Sequence, residues 1–570
     1  MRLDEIIKAA SGEKPVDLLL TNARIINVFT GEVAADAVAI SDGMIVGFGP
    51  YETQTVVDVD GRYVAPGFID SHVHIESSMV CVTEFARAVL VHGTTTVAAD
   101  PHEIANVLGS TGIEYMLQSA EHQPMNLYFT LPSCVPATDM ETAGARLTAE
   151  DLRPFLMEEK IVALAEMMNY PGVLMRDPDV LSKITAARKQ KKPVDGHAPG
   201  LKGRELHAYI AAGVQSDHEC TTEQEAREKL AAGLVIMIRQ GTGAKNLQAL
   251  LPAVNAKTSR RMMWCTDDRH PNDLIADGHI DSMVREAIQS GLDPYLAIQM
   301  ATLNPAAYFG LSHLGAIAPG KQADLVVFSN IKKPVIEQVY CRGILTAENG
   351  KIRPEVQFPA TATVPPAMHI DLQNIDFSIP AEQDRIRVIE IVSDQLITRE
   401  CIEATPVKNH QAVSDPSKDL IKIAVVERHK GTGNIGKGYI KGLGLKQGAL
   451  ASSVAHDSHN IIIVGASDED MRAALEAVVK MGGGLAAVSN GRLLAGLPLP
   501  IAGLMSLESV STVRDQLERL IAITHDMGTT LQDPFMTLSF MALPVIPELK
   551  LTDMGLIDVS KFEFVPLFVP

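Results

Sequence analysis

Residues 68–76 read FIDSHVHIE, and they decide the fold. An apolar approach, VAPGFID, runs straight into His72 and His74. Along an extended strand the side chains of residues i and i+2 leave the same face, so both imidazoles reach one point. Working outward, further donors come singly, each at the end of a short apolar run: Glu166 in ALAEMMNY, His197 in VDGHAPG, His218 in SDHE and Asp267 in CTDDRHP. A lone histidine is more often a satisfied core or surface residue than a ligand. Four histidines and two carboxylates, spaced a strand plus a helix apart, read instead as a metal cluster assembled from strand ends.

Apolar runs at 64–69, 94–99, 126–131, 161–165, 193–196, 213–216, 234–238 and 261–265 alternate with helix-like stretches such as TEFARAVLVH, TEQEAREKLAA and DSMVREAIQSG. Such an alternation predicts an α/β fold with a metal-dependent (β/α)8 barrel, whose chemistry sits at the C-terminal ends of its strands. An open doubly wound sheet would bind at one switch point and would not need donors on five strands. On both sides of this region the period changes. VDLLLTNARIINVFTG and DAVAISDGMIVGFGP before it, and QADLVVFSN and VIEQVYCRG after it, alternate apolar and polar residues between turn signals. They read as one small β domain built from both flanks. The expected division is residues 1–62 plus 318–360 for a small β-sandwich-like domain, 63–317 for the barrel, and 361–570 for a C-terminal α+β domain with its own core.

Composition narrows the function classes. Against 50 Lys+Arg stand 69 Asp+Glu, a net charge of −19, which argues against a nucleic-acid partner. No run approaches the roughly 20 apolar residues of a membrane span. The start, MRLDEIIKAASGEKP, lacks an export pattern, and the six cysteines lie far apart, as reduced thiols do. A cytoplasmic protein acting on a small molecule is expected, with neither membrane nor nucleic acid as partner. The mixed nitrogen and oxygen donors suit Mn, Fe or Zn rather than Ca or Mg. Six donors, one a carboxylate able to bridge, can hold two divalent ions. A hydroxide shared between two ions is a nucleophile at neutral pH.

Histidines two apart at the first strand, single histidines at the fifth and sixth, and an aspartate at the eighth resemble the amidohydrolase superfamily over roughly residues 16–355. Many members carry a carboxylated lysine at the end of strand four. ALAEMMNY has no lysine, and Glu166 supplies the carboxylate directly, which argues against a hydantoinase or dihydroorotase type of site. SHVHIESSM, ADPHEIANV, DGHAPG, DHE and CTDDRHP, with GTGNIGKGYIKGLGL and SVAHDSHNIIIVG, are similar to the bacterial adenine deaminase family over nearly the whole chain. That resemblance implies conversion of adenine and water to hypoxanthine and ammonia by a metal-bound hydroxide, in purine salvage. It also implies two transition-metal ions, Mn or Fe ahead of Zn, and by analogy a homodimer. The rival enzyme is a cyclic-amide hydrolase with the same nucleophile. A non-catalytic scaffold would have eroded ligand positions, whereas all six are filled.

Within that resemblance Asp267 looks like the metal-bound aspartate that takes the hydroxide proton and returns it to the leaving group. Glu166 combines bridging with proton transfer. Strand alternation lets only one of Asp267 and Asp268 face the site, and Asp267 is the choice for the ligand, with Asp268 kept as a substrate contact. Asp100, His102 and Glu103 of AADPHE lie just past strand two, where they can read a purine edge or simply cap the helix EIANVLG. Glu76 shares the parity of His72 and His74, so it faces the site or orders a ligand histidine. His456 and His459 of HDSHN are a surface turn, or else the place where the C-terminal domain leans over the barrel mouth and closes the base pocket. GTGNIGKG at 431–438 mimics a nucleotide loop. It lacks the hydroxyl after its lysine and no helix follows it, so a flexible loop is expected. Trp264 and the methionines read as packing.

Overall fold

The structure, a computed structural model, describes residues 3–392, 395 and 397–570. Its centre is a ring of eight parallel strands: β1 (Phe68–His74), β2 (Thr94–Ala99), β3 (Asn126–Leu131), β4 (Ile161–Met167), β5 (Val194–Gly196), β6 (Ser216–Asp217), β7 (Val235–Arg239) and β8 (Met262–Cys265, resuming at Asp267–Asp268). One ladder runs β5-β4-β3-β2-β1 and ends on the Asp267–Asp268 piece of β8; the other runs β6-β7-β8. The ladders meet where Gln215 N–H donates to Val194 O at 2.9 Å and Val235 N–H donates to Gln215 O at 2.8 Å. On the other side Asp267 pairs with Val73 and Asp268 with His74, which closes the barrel. Because β1 to β4 and the first piece of β8 are almost wholly buried on both faces, they lack the regular apolar–polar alternation of a half-exposed strand.

The expected helices lie between the strands. Glu223–Ala231 is started by Thr222, whose hydroxyl accepts from Glu225 N–H, and Ile280–Gln289 carries an apolar stripe from Ile280 through Met283, Val284, Ala287 and Ile288. Trp264 is fully buried, and its Nε1 donates to Ala297 O at 2.9 Å. Met262 and Met263 are buried beside it, as packing residues.

The first apolar run divides at Gly67. Its first part, Tyr63–Pro66, belongs to a nine-stranded flank sheet and only Phe68 onward to the barrel. In that sheet Leu325–Phe328 runs antiparallel to Tyr63–Pro66, so the two flanks join directly beside the barrel's entry strand. Leu20, Ile25, Val38, Ile40, Leu325 and Val327 form its separate core.

Beyond the flank, a second nine-stranded sheet is almost wholly antiparallel. Its central strands are Ile421–Val426, Ile461–Gly465 and Ala449–Ser452, and Asp468–Lys480 packs across it. The GTGNIGKG segment is only partly a loop: from Ile435 it is a strand of this sheet, paired in register with Ile421–Val426. Lys437 Nζ donates to Ser378 O at 2.7 Å and to Asp376 O at 3.1 Å, so the lysine ties down backbone. The flexible-loop expectation is corrected to that extent.

This C-terminal sheet meets the barrel mouth. Thr142 N–H and hydroxyl donate to the two oxygens of Asp553, at 2.9 and 2.6 Å. Asn460 Nδ2 donates to Thr142 O at 2.8 Å, and His270 Nδ1 lies 3.4 Å from Asp533.

Candidate active site

The two imidazoles of β1 converge as the strand period requires. His72 Nε2 and His74 Nε2 are 3.2 Å apart, and both rings are buried. Asp267 Oδ1 lies 3.3 Å from the first and 3.1 Å from the second. Glu166, at the end of β4, divides its oxygens. Oε1 faces His74 at 3.4 Å and His72 at 3.8 Å, while Oε2 faces His197 Nδ1 at 2.5 Å and His218 Nε2 at 3.3 Å. One carboxylate thus stands between two histidine pairs. Facing ring nitrogens cannot both carry protons, and His72 Nδ1 has no hydrogen-bond partner among the described residues. Buried nitrogen lone pairs gathered with ionised carboxylates are donors for divalent cations, and these residues fit such a group.

Asp267 reaches this point by a backbone device. Its φ is +57°, in the left-handed region, where the regular alternation of a strand is interrupted. Asp268 therefore also serves the mouth: its Oδ1 accepts from Ser77 Oγ at 2.5 Å, and its charge acts on His74 and His456. The expectation that only one of the two faces the site is corrected for this reason.

The other expected residues sort themselves. Asp100 both starts the helix His102–Leu108 and holds its first side chain: Oδ1 accepts from His102 N–H and Oδ2 lies 3.1 Å from His102 Nδ1. That same nitrogen stands 3.5 Å from Glu166 Oε1, so the capping and site readings hold together. Glu76 does not follow the parity of β1, because the strand ends at His74 and a 3-10 turn, Ile75–Ser78, begins. Its Oε1 accepts from Ile104 N–H at 3.2 Å, which anchors the helix bearing His102. Burial, and then the charge of Glu103, push the Glu76 carboxyl up to about 7.

Glu103 lies against His456 Nδ1 at 2.9 Å and against His459 Nε2, across the seam between barrel and C-terminal sheet. Ala455 N–H donates to His459 Nδ1 at 3.2 Å, so that nitrogen is an acceptor and the ring proton sits on Nε2, facing Glu103. In this arrangement the two rings clamp the Glu103 carboxylate. Burial, followed by the opposing pull of Glu103, sets the two rings apart: His459 is held down to about 4, and His456 is raised to about 9 by Glu103 despite its burial. His456 also stacks on Phe540, with ring centroids 4.7 Å apart.

Two residues of the site escape sequence reasoning. Glu219 follows His218, and its Oε1 lies 3.4 Å from His218 Nε2 and 3.7 Å from His197 Nδ1. Arg239, the last residue of β7, bonds both Glu219 and Asp267. The available signal was an arginine closing the apolar run VIMIR at a barrel strand end. Burial alone would raise Asp267 and Glu166. Arg239 and the β1 histidines hold Asp267 well below the usual carboxylate range, and His197 and His218 do the same for Glu166.

Residues 63–352 match the amidohydrolase family and residues 395–563 the adenine deaminase C-terminal domain. An adenine deaminase of Desulfatibacillum aliphaticivorans is 54% identical over 99% of each chain. The chain belongs to the adenine deaminase family. Adenine deaminase 2 of Carboxydothermus hydrogenoformans is 50% identical, again over 99% of both. A crystal structure of an adenine deaminase aligns at 18% identity over 59% of this chain and all of that one, with a TM-score of 0.46. The family models and the full-length relatives bear out the expected family and the amidohydrolase barrel, and membership makes the chain a metal-dependent hydrolase. Among the described residues no helix is long and apolar enough to cross a membrane.

Proposed function

We propose that this enzyme hydrolyses adenine to hypoxanthine and ammonia, in purine salvage. The observation that carries the reading is the split carboxylate of Glu166, set between two histidine pairs in a chain whose full-length relatives are named adenine deaminases. His72, His74 and Asp267, with Glu166 Oε1, would hold one divalent ion; His197, His218 and Glu166 Oε2 would hold the second. The mixed nitrogen and oxygen donors suit Mn, Fe or Zn, and the family resemblance puts Mn or Fe first. When bound, such ions acidify water and so supply the nucleophile.

The chain's own residues then have three tasks. Water oxygen must add to the purine carbon that bears the amino group, a proton must reach the neighbouring ring nitrogen, and the amino group must leave protonated. Asp267 and Glu166 are the carboxylates placed to take and return the proton. Asp268, Asp100, His102 and Glu103 ring the mouth with donors and acceptors for the purine edge, and His456 closes it from the C-terminal side. His459 acts here by holding Glu103, and Glu76 by anchoring the helix that carries His102. A homodimer is the assembly we expect, checked by sedimentation.

The test is an ultraviolet and ammonia assay with free adenine on Mn-reconstituted protein. Conversion to hypoxanthine with one ammonia per turnover is expected. Adenine left intact while two ions are bound would overturn the substrate and turn attention to cyclic amides.

A further inference from the structure

Arg239 occupies an unusual place for a cation. It stands at the end of β7, between the strand ends that carry the two halves of the donor set, and its side chain is 10% exposed. Its Nη1 donates to Asp267 Oδ2 at 2.6 Å and also to Glu219 Oε1; its Nη2 donates to Glu219 Oε2 at 3.0 Å. Three of the four oxygens on these two carboxylates are therefore engaged by one guanidinium. The fourth, Asp267 Oδ1, is the one turned toward His72 and His74.

The consequence is a limit on coordination. A free aspartate can chelate with both oxygens, and a free Glu219 is near enough to His197 and His218 to join their ion. Either event would fill a position that a hydrolytic site must leave for water and substrate. The planar fork of arginine suits this duty, since it saturates carboxylate oxygens along fixed directions and cannot itself bind a cation.

We infer that Arg239 is a positioning residue that keeps coordination positions open at the two-ion centre, by engaging the second oxygen of Asp267 and both oxygens of Glu219. The inference rests on the two-ion reading above. It makes a prediction opposite in sign to that of a structural prop: losing Arg239 should tighten the ions while slowing the chemistry.

The experiment begins with the native chain, loaded with Mn and assayed for bound metal. Two ions per chain support the underlying reading, and fewer would overturn that reading whatever Arg239 does. Release of Mn to EDTA and steady-state kinetics are then compared in native protein, Arg239→Met and Arg239→Lys. In Arg239→Met, we expect two ions retained, release slowed several-fold, and kcat lowered about a hundredfold with little change in KM. Arg239→Lys keeps the charge without the fork and should fall between. Added guanidinium should restore part of the kcat of Arg239→Ala and return its release rate toward the native one, a rescue that a folding defect would not show. Faster Mn release in Arg239→Met and Arg239→Lys, or unchanged kcat, would overturn the inference. Should Arg239→Met fail to fold, the lysine variant's release rate decides alone.

Discussion

Asp267 and Asp268 are neighbours with separate duties, and a single dihedral separates them. With φ at +57°, Asp267 sends Oδ1 to the β1 histidines, and Asp268 keeps its own place at the mouth beside Ser77. Replacing each by asparagine should separate the roles. Asp267→Asn removes the carboxylate proposed above as a metal ligand, so bound metal should fall below that of the native protein, and activity with it. Asp268→Asn should leave the metal content unchanged and slow turnover by roughly a hundred- to ten-thousandfold, the usual scale for a lost proton-transfer group. Metal analysis alongside kcat reads both outcomes, and equal metal loss in the two variants would refute the division.

At the scale of elements, the barrel is held by charges placed at helix starts as well as by its core. Asp281 lies in the first turn of Ile280–Gln289, where Oδ1 accepts from His279 N–H at 2.8 Å and Oδ2 accepts from Arg285 at 2.9 Å. Burial opposes its ionisation, but His92 and Arg285 prevail and hold it down to about 2 against an ordinary 3.8. A carboxyl depressed in the folded state adds stability above its unfolded value and loses it as pH falls through the folded one. Asp281→Asn should therefore cost on the order of 2 kcal/mol near neutrality. The gap should stay full down to about pH 4 and shrink toward pH 2. Thermal unfolding of chelator-treated protein across that range checks it. In the C-terminal sheet, Gly436 faces Thr552 O so closely that a Cβ would collide with it. Gly436→Ala should destabilise by about 1–3 kcal/mol, the usual cost of overpacking. Measured unfolding of the variant against the native chain decides whether that glycine serves strand packing.

For the whole molecule, the C-terminal sheet supplies one wall of the site. Asp553 takes two hydrogen bonds from Thr142, and Asn460 fastens the same loop next to the His456–His459 turn. Asp553→Ala leaves Thr142 unpartnered there and frees the wall without touching a donor of the metal centre. We expect a higher KM for adenine, by about tenfold, equivalent to roughly 1.4 kcal/mol of lost support for that wall, with metal content unchanged. Loss of metal in this variant would mean that the seam supports the barrel itself. The assembly also explains why Glu103 is buried beside two histidines from a segment some 350 residues further along.

The amino-acid sequence by itself determined the donor types, their order and their strand ends. Period-two geometry is a property of the local backbone, so His72 and His74 were bound to converge, and a glutamate in ALAEMMNY was bound to bring its carboxylate to the same rim. The barrel, the joined flanks and the separate C-terminal sheet were legible for the same reason, because each element's period reflects which of its faces is buried. The tertiary structure decided the rest. Whether Glu76 turns into the site depended on where β1 stops, and whether both aspartates serve the mouth depended on one left-handed residue. The bond from Arg239 to Glu219 and Asp267, and the clamp of Glu103 by His456 and His459, join elements distant in the chain. No local period encodes such contacts; they exist only because packing brings those strand ends and that turn together.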